Sequence, residues 1–160
     1  METPKLIFHN LSDEIFSVSE VCAEIEKYIN NQQDCVYNLT VGSDSLYQSK
    51  ETVFVTAIII HRLGKGARFF YTRRRSMQNL DLCSRLLQET YDSIAVVKEI
   101  EKTGIIYLVN DFSIHIDAGD NGDSRKILKE CISFVKGYGY NCKVKPDSCA
   151  ASKVADRFTK

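Results

Sequence analysis

The sequence predicts an α/β protein in which a mixed five-stranded sheet is flanked by helices. Two observations lead to this class. Three strand-like segments follow one another with short connections, and helix-like and strand-like segments then alternate through the rest of the sequence. Consecutive strands with short turns pair as an antiparallel meander, whereas strands separated by helices pair in parallel. The 160 residues suffice for a single domain with a sizeable core.

The first half contains one predicted helix and the antiparallel meander. The helix spans residues 17–31 and has an apolar stripe at helical spacing, with either Ser17 or Ser19 as its cap. The three predicted strands are residues 36–43, 53–61 and 67–73. The sequence Gly64-Lys65-Gly66 between the last two strands is typical of a hairpin turn.

Helices and strands alternate after the meander. A long amphipathic helix is predicted for residues 79–102, and Gly104 ends it. A fourth strand is predicted to begin at Ile105 and to resume at residues 114–117, with a bulge or short loop at residues 110–113. The remaining predicted elements are a helix over residues 124–136, a fifth strand over residues 141–145 and a last helix that ends near Lys160.

Composition restricts the partners and the compartment. The 21 basic and 21 acidic residues give a formal net charge of zero, so a nucleic-acid partner would need a local basic patch. No apolar run approaches the length of a membrane span, and the first residues do not resemble a signal peptide. The six cysteines form no C-x-x-C pair, which argues against a zinc site and favours reduced thiols. We therefore expect a cytoplasmic protein with no membrane partner.

Two predicted strands each reach an isolated aspartate at their carboxyl end. Asp44 follows the strand-like run that ends in Val41-Gly42-Ser43, and Asp117 follows Ile114-His115-Ile116. An ionised carboxylate is unfavourable in a sheet unless it is paired or binds a cation. We therefore predict one shared metal site at the rim of the sheet. His115 would lie on the same strand face as Asp117, either beside that site or as an ordinary core or surface histidine.

Several segments resemble the YkuK family, whose members are described as ribonuclease H-like. The segments are residues 41–45, 55–66, 114–117, 135–140, 145–148 and 154–157. The resemblance covers about residues 36–160. It implies a ribonuclease H-like fold, with residues 1–160 as a single domain in which the helix at residues 17–31 is added to the core.

The resemblance also implies a metal-dependent nuclease acting on RNA, an RNA–DNA hybrid or structured DNA. Ribonuclease H-like nucleases place carboxylates on the first strand, on the helix after the third strand, at the end of the fourth strand and on the last helix. The matching residues, expected to bind Mg²⁺ or Mn²⁺, are Asp44, Glu89, Asp117 and Asp156. Two cations about 3.5–4 Å apart activate water and stabilise the leaving oxygen in such sites. Asp147 is either a further ligand or a cap of the last helix.

Some of these assignments have rivals. Gln88, Asp92 and Glu99 lie on the same predicted helix as Glu89, and Asp156 could instead pair with a neighbouring lysine or arginine. A non-catalytic nucleic-acid- or protein-binding module with the same fold is the alternative to a nuclease, because fold does not imply function. A phosphotransferase of the actin-like branch would need a glycine-rich phosphate-binding loop. Residues 119–122, with two glycines, are too short a segment to form one.

A run of three arginines follows the third predicted strand. Arg73, Arg74 and Arg75 come directly after two aromatic residues and a threonine. Basic side chains beside aromatic ones suit a nucleic-acid backbone, but the same run is also typical of a solvated turn. Lys65 on the hairpin is predicted to join this patch. Residues that could extend it are Arg62, Lys143 and Lys145.

Overall fold

The computed structural model describes residues 5–118, 124–145 and 150–160, without the side chains of residues 150–153. The strands are β1 (Phe8–His9), β2 (Ile15–Phe16), β3 (Tyr37–Gln48), β4 (Glu51–Arg62), β5 (Ala67–Ser76), β6 (Asp111–Ile116) and β7 (Cys142–Val144). The α-helices are α1 (Val18–Asn30), α2 (Leu82–Glu101), α3 (Ser124–Gly137) and α4 (Ala150–Thr159), and a short 3₁₀ helix covers Ile105–Leu108.

The described strands form one mixed sheet in the order β2-β1-β5-β4-β3-β6-β7. β3, β4 and β5 are the antiparallel meander, while β6 pairs in parallel with both β3 and β7. The predicted α/β class with flanking helices is confirmed. The predicted number of strands is wrong, because the two-residue strands β1 and β2 add to the edge beside β5 and bring the total to seven among the described residues.

Helices cover both faces of this sheet, and the two faces carry different parts of the core. On one side, which we call the α2 face, α1, α2 and α3 enclose the larger apolar cluster, which includes Ile25, Ile58 and Ile100. On the other side, the α4 face, Ala155 of α4 packs in a smaller cluster with Val55 and its neighbours. Because successive strand residues point to opposite faces, the position of each side chain on β3 to β6 follows from its place in the strand.

The meander strands are longer than predicted. β3 continues five residues past Ser43, and a two-residue turn at Ser49 and Lys50, with φ angles of 53° and 68°, leads directly into β4. The hairpin at Gly64 and Gly66 is confirmed, with φ angles of 75° and 101° that glycine adopts without strain. Asp44 consequently lies inside a strand and not at its end.

Two other predicted boundaries are wrong. α2 begins at Leu82, because the Asp81 side chain accepts a hydrogen bond from the Ser84 N–H and caps the helix there. The segment after Gly104 forms the 3₁₀ helix and not a strand, because Gly104 turns the chain with a φ of 79°. The fourth strand of the prediction corresponds to β6 alone, which includes residues 111–113.

The predicted first helix is confirmed as α1. Ser17 caps it, accepting a hydrogen bond from the Glu20 N–H while the Glu20 carboxylate accepts one from the Ser17 N–H. Among the helices of the described residues, none has both the length and the apolar character needed to cross a bilayer.

Candidate active site

The parallel pairing of β3 with β6 brings the two predicted strand aspartates together. Val41 lies opposite Ile114, and Gly42 lies opposite His115. Two residues further along each chain the same register brings Asp44 alongside Asp117. Neighbouring strands are about 4.8 Å apart, and partners in register point to the same face. Both aspartates therefore lie on the α4 face.

Two helices bring the other predicted carboxylates to this point from opposite faces. Asp156 lies on α4, and its carboxylate interacts with that of Asp44. Glu89 lies on α2, where its carboxylate accepts a hydrogen bond of 2.5 Å from the Ser45 hydroxyl. β6 ends at Ile116 while β3 continues to Gln48, so within the described chain the edge of β3 beyond Asp44 has no strand beside it. At this open edge, groups from both faces meet.

Burial and neighbouring charge change the acidity of Asp44. Burial, the largest cause, and the carboxylates of Asp156 and Asp117 together raise the pKa of Asp44 to about 6. The Ser45 N–H acts in the opposite direction by donating a hydrogen bond to the carboxylate. The raised pKa means that the cluster holds its negative charges at a cost in the absence of a cation.

Glu89 is the most strongly affected member of the group. Burial, the largest cause, and the charges of Asp44 and Asp117 together raise the pKa of Glu89 to about 8. The Ser45 hydroxyl and the nearby Arg85 lower it without compensating for burial. The structure therefore brings Glu89 to the two strand aspartates.

The rivals of Glu89 on α2 have other partners. Asp92 forms an ion pair of 2.9 Å with Arg74, and Gln88 donates a hydrogen bond to the same Asp92 carboxylate. Glu99 pairs with Lys102 near the end of the helix. Glu89 is accordingly the residue of this set that faces the strand aspartates.

Two lysines neutralise part of the cluster. Lys145 Nζ lies 2.8 Å from Asp117 Oδ1, and Lys160 Nζ lies 3.5 Å from Asp156 Oδ2. Within the described residues, no three His, Cys, Asp or Glu side chains are arranged around a common point with the spacing of metal ligands. Asp147, the further predicted ligand or helix cap, lies outside the described residues.

His115 is buried beside the carboxylates. It is 6% exposed, and neither ring nitrogen has a hydrogen-bond partner among the described residues. Burial, with a smaller contribution from Lys143, lowers the pKa of His115 to about 4, so the ring is neutral at physiological pH. Thr40 and Ser113, which face each other across β3 and β6, also have buried hydroxyls without partners. The α4 face is thus polar along the β3–β6 pair.

The predicted arginine patch is divided by the strand that contains it. The prediction placed the run after the third strand, but β5 continues to Ser76 and includes all three arginines. Arg73 and Arg75 lie opposite Val55 and Val53 and point to the α4 face, whereas Arg74 points to the α2 face and pairs with Asp92. An alternating strand cannot present three consecutive side chains on one surface.

The other predicted basic residues lie apart from these arginines. Lys65 is in the hairpin at the opposite end of β4 and β5, so the structure does not bring it to the arginines. Arg62 is buried, donating hydrogen bonds to the Tyr37 hydroxyl and to the Tyr28 carbonyl, and it cannot extend a surface patch. Lys143 pairs with Asp111.

Two contacts of the site were missed from the sequence. The first is the hydrogen bond from the Ser45 hydroxyl to the Glu89 carboxylate. The sequence could have indicated it, because Ser45 directly follows Asp44 in a strand and so points to the opposite face, towards α2. The second is the ion pair between Lys145 and Asp117. The sequence could have indicated it, because each of these residues directly follows one of two parallel strands. The register of Ile116 opposite Val144 then brings the two residues together.

Glu89→Gln should flatten the pH dependence of stability in the presence of a chelator. A carboxyl with a folded-state pKa of about 8, above its ordinary 4.5, stabilises the fold fully below pH 4.5 and loses that contribution as pH rises towards 8. Near pH 6.5, above the raised pKa of Asp44, this loss approaches about 1.4 kcal/mol per pH unit in the parent, and it falls to about half of that at pH 8. Urea unfolding measures it.

Glu99→Gln on the same helix is the matched control for that experiment, because Glu99 pairs with Lys102 away from the cluster. The control should keep the slope of the parent. Equal slopes in the parent and in Glu89→Gln would show that Glu89 does not hold a proton in the folded state at neutral pH.

Comparison with known proteins identifies the family. The family model for ribonuclease H-like proteins matches residues 20–160. A protein of Bacillus subtilis (strain 168), named "Uncharacterized protein YkuK", is 27% identical over 170 residues, which cover 96% of this chain and 97% of the relative. No solved structure matches the chain. The resemblance inferred from the sequence is therefore confirmed, and the chain belongs to the ribonuclease H-like family.

Proposed function

We propose that the protein is a metal-dependent nuclease that hydrolyses phosphodiester bonds of nucleic acid. The observation that supports this most is the meeting of four acidic side chains from four elements at the open edge of β3. These are Asp44, Glu89, Asp117 and Asp156. Membership of the ribonuclease H-like family favours a nucleic-acid partner for such a site.

The chemistry of the donor set fits Mg²⁺ or Mn²⁺. Hard cations prefer carboxylate oxygens, and burial and neighbouring carboxylates raise the pKa values of Asp44 and Glu89, so a bound cation would stabilise their charged forms. Asp44, as the central member, would contact both cations of a two-metal site, with Asp117, Asp156 and Glu89 as the outer ligands and Asp147 as a further candidate. When bound, the cations would supply an activated water and stabilise the leaving oxygen.

The residues of the chain prepare this site in defined ways. The Ser45 hydroxyl orients the Glu89 carboxylate, and burial keeps a proton on Glu89 at neutral pH, which a bound cation would displace. Lys145 balances the charge of Asp117 and must share or release it before that oxygen can bind a metal.

The alternative is a non-catalytic nucleic-acid- or protein-binding module that has kept the fold. In such a module the pairs of Lys145 with Asp117 and of Lys160 with Asp156 would serve the structure and not catalysis. Fold alone does not decide between an enzyme and a binding module, so the distinction rests on the chemistry of these carboxylates.

Asp117→Asn should abolish cleavage and leave binding of nucleic acid intact. In the presence of Mn²⁺ the parent should cut a labelled single-stranded RNA, an RNA–DNA hybrid or a branched DNA. Loss of a direct ligand should reduce the rate by more than about 100-fold, the upper end of the effect of outer-shell partners. Gel electrophoresis of the products measures the rate.

Asp111→Asn is the control, because Asp111 lies on the same strand and pairs with Lys143 instead of joining the cluster. It should retain the parent's cleavage rate. If the parent binds these nucleic acids but cuts none of them, the binding module is the correct function and the nuclease is not.

Lys145→Gln should increase the affinity for Mn²⁺. The lysine and a cation compete for the same Asp117 oxygen, so removing the lysine removes the competitor. The rise in melting temperature with Mn²⁺ concentration should therefore begin at a several-fold lower concentration. Lys143→Gln, two residues away and paired with Asp111, should respond like the parent. An unchanged or weaker response of Lys145→Gln would show that Asp117 is not a ligand.

A further inference from the structure

A cationic pocket lies on the α4 face at one end of the sheet. It has a volume of about 150 Å³ and lies between the β3–β4 turn, the end of β5 and the last residues of α4. The residues that line it include Gln48, Arg73, Arg75, Thr159 and Lys160. A water molecule takes up about 30 Å³ of liquid, so the pocket has room for a phosphate group.

Three basic side chains and one carboxylate surround this volume. Arg73 donates to the Phe158 carbonyl at the end of α4, which fixes its guanidinium at the pocket wall. Arg75 is 62% exposed and uses one nitrogen to bind Glu51 at 2.8 Å, which leaves its other donors to face the pocket or solvent. Lys160 is 68% exposed and lies 3.5 Å from Asp156. The pocket thus has an excess of positive charge.

The register of the meander relates the pocket to the carboxylates. Asp44 lies opposite Val55, and Val55 lies opposite Arg73, so Asp44 and Arg73 are on the same face, separated by one strand. Gln48 is four residues beyond Asp44, or about 13 Å along the strand. Lys160 connects the two regions, because it lines the pocket and contacts Asp156.

We propose that this pocket binds a backbone phosphate of the nucleic acid that is cut at the carboxylate cluster. The proposal rests on the proposed function. A phosphate here would be about two to four nucleotides from the cut, given a distance of about 13 Å and a rise of 3.4 Å per nucleotide in a stacked strand. It would accept hydrogen bonds from arginines that the fold already holds in position.

The positions of the charges favour a phosphate over an acidic protein segment. The basic side chains of the pocket and the carboxylate cluster lie on the same face of the sheet. A nucleic-acid strand whose phosphate is bound in the pocket would therefore extend past the carboxylates. Arginine is suited to phosphate because its planar group offers two parallel donors. The subsite would also fix the orientation of the strand, which the carboxylates alone cannot do.

The first test measures binding without cleavage. The double variant Arg75→Gln/Lys160→Gln should bind a labelled RNA or hybrid about 10-fold more weakly by fluorescence anisotropy in a chelator. The slope of log affinity against log salt should fall by roughly 1 to 2. Lys27→Gln/Lys65→Gln removes the same charge at a distance and should change neither quantity. If both double variants bind equally, the pocket is not a phosphate subsite.

The second test locates the phosphate. A set of oligonucleotides, each with one neutral methylphosphonate, should contain one position where the parent loses affinity and the Arg75→Gln/Lys160→Gln variant loses none. An equal loss in both proteins at every position would overturn the proposal. These are binding measurements, so a protein that binds through the pocket but cuts nothing would support the subsite and contradict the nuclease.

Discussion

The parallel pairing of β3 with β6 determines where the acidic side chains of this protein meet. It aligns Asp44 with Asp117 on the α4 face, and it ends before β3 does. The difference in strand length opens an edge at which α2 can contribute from one face and α4 from the other.

The cluster has an electrostatic cost that the neighbouring residues only partly offset. Burial raises the pKa values of Asp44 and Glu89, and the neighbouring carboxylates make the ionisation of these two groups still less favourable. Three neighbouring groups offset part of this cost: Lys145 and Lys160 form ion pairs with Asp117 and Asp156, and the Ser45 hydroxyl donates a hydrogen bond to Glu89. A group of acids maintained at a cost in stability is typical of a functional site, since two apolar residues in place of Asp44 and Glu89 would pack without charge repulsion.

The sequence predicted the parts of the fold that have a strong local pattern. Asp44 and Asp117 were recognisable because each follows an apolar, strand-like run, and α1 was recognisable from its cap and its apolar stripe. Choosing Glu89 required the family resemblance, because Asp92 is one helical turn away and the contact with Ser45 becomes visible only after the chain has folded.

Other features depended on pairing between distant segments, which a local pattern does not encode. β1 and β2 have two residues each, too few to show alternation. The arginine run resembled a turn because it is charged, yet it lies in an edge-proximal strand that tolerates charge on both faces. The pairing of Lys145 with Asp117 depends on the β6–β7 register.

The central claim is that Asp44 and Asp117 share a cation at the open edge of β3. The most direct measurement is a crystal structure of the protein soaked in Mn²⁺, with the metal located by its anomalous scattering. The account predicts a peak between the two carboxylates, within about 2.2 Å of their oxygens, with Lys145 turned away from Asp117. A map without a peak there, with Lys145 still bound to Asp117, would contradict it.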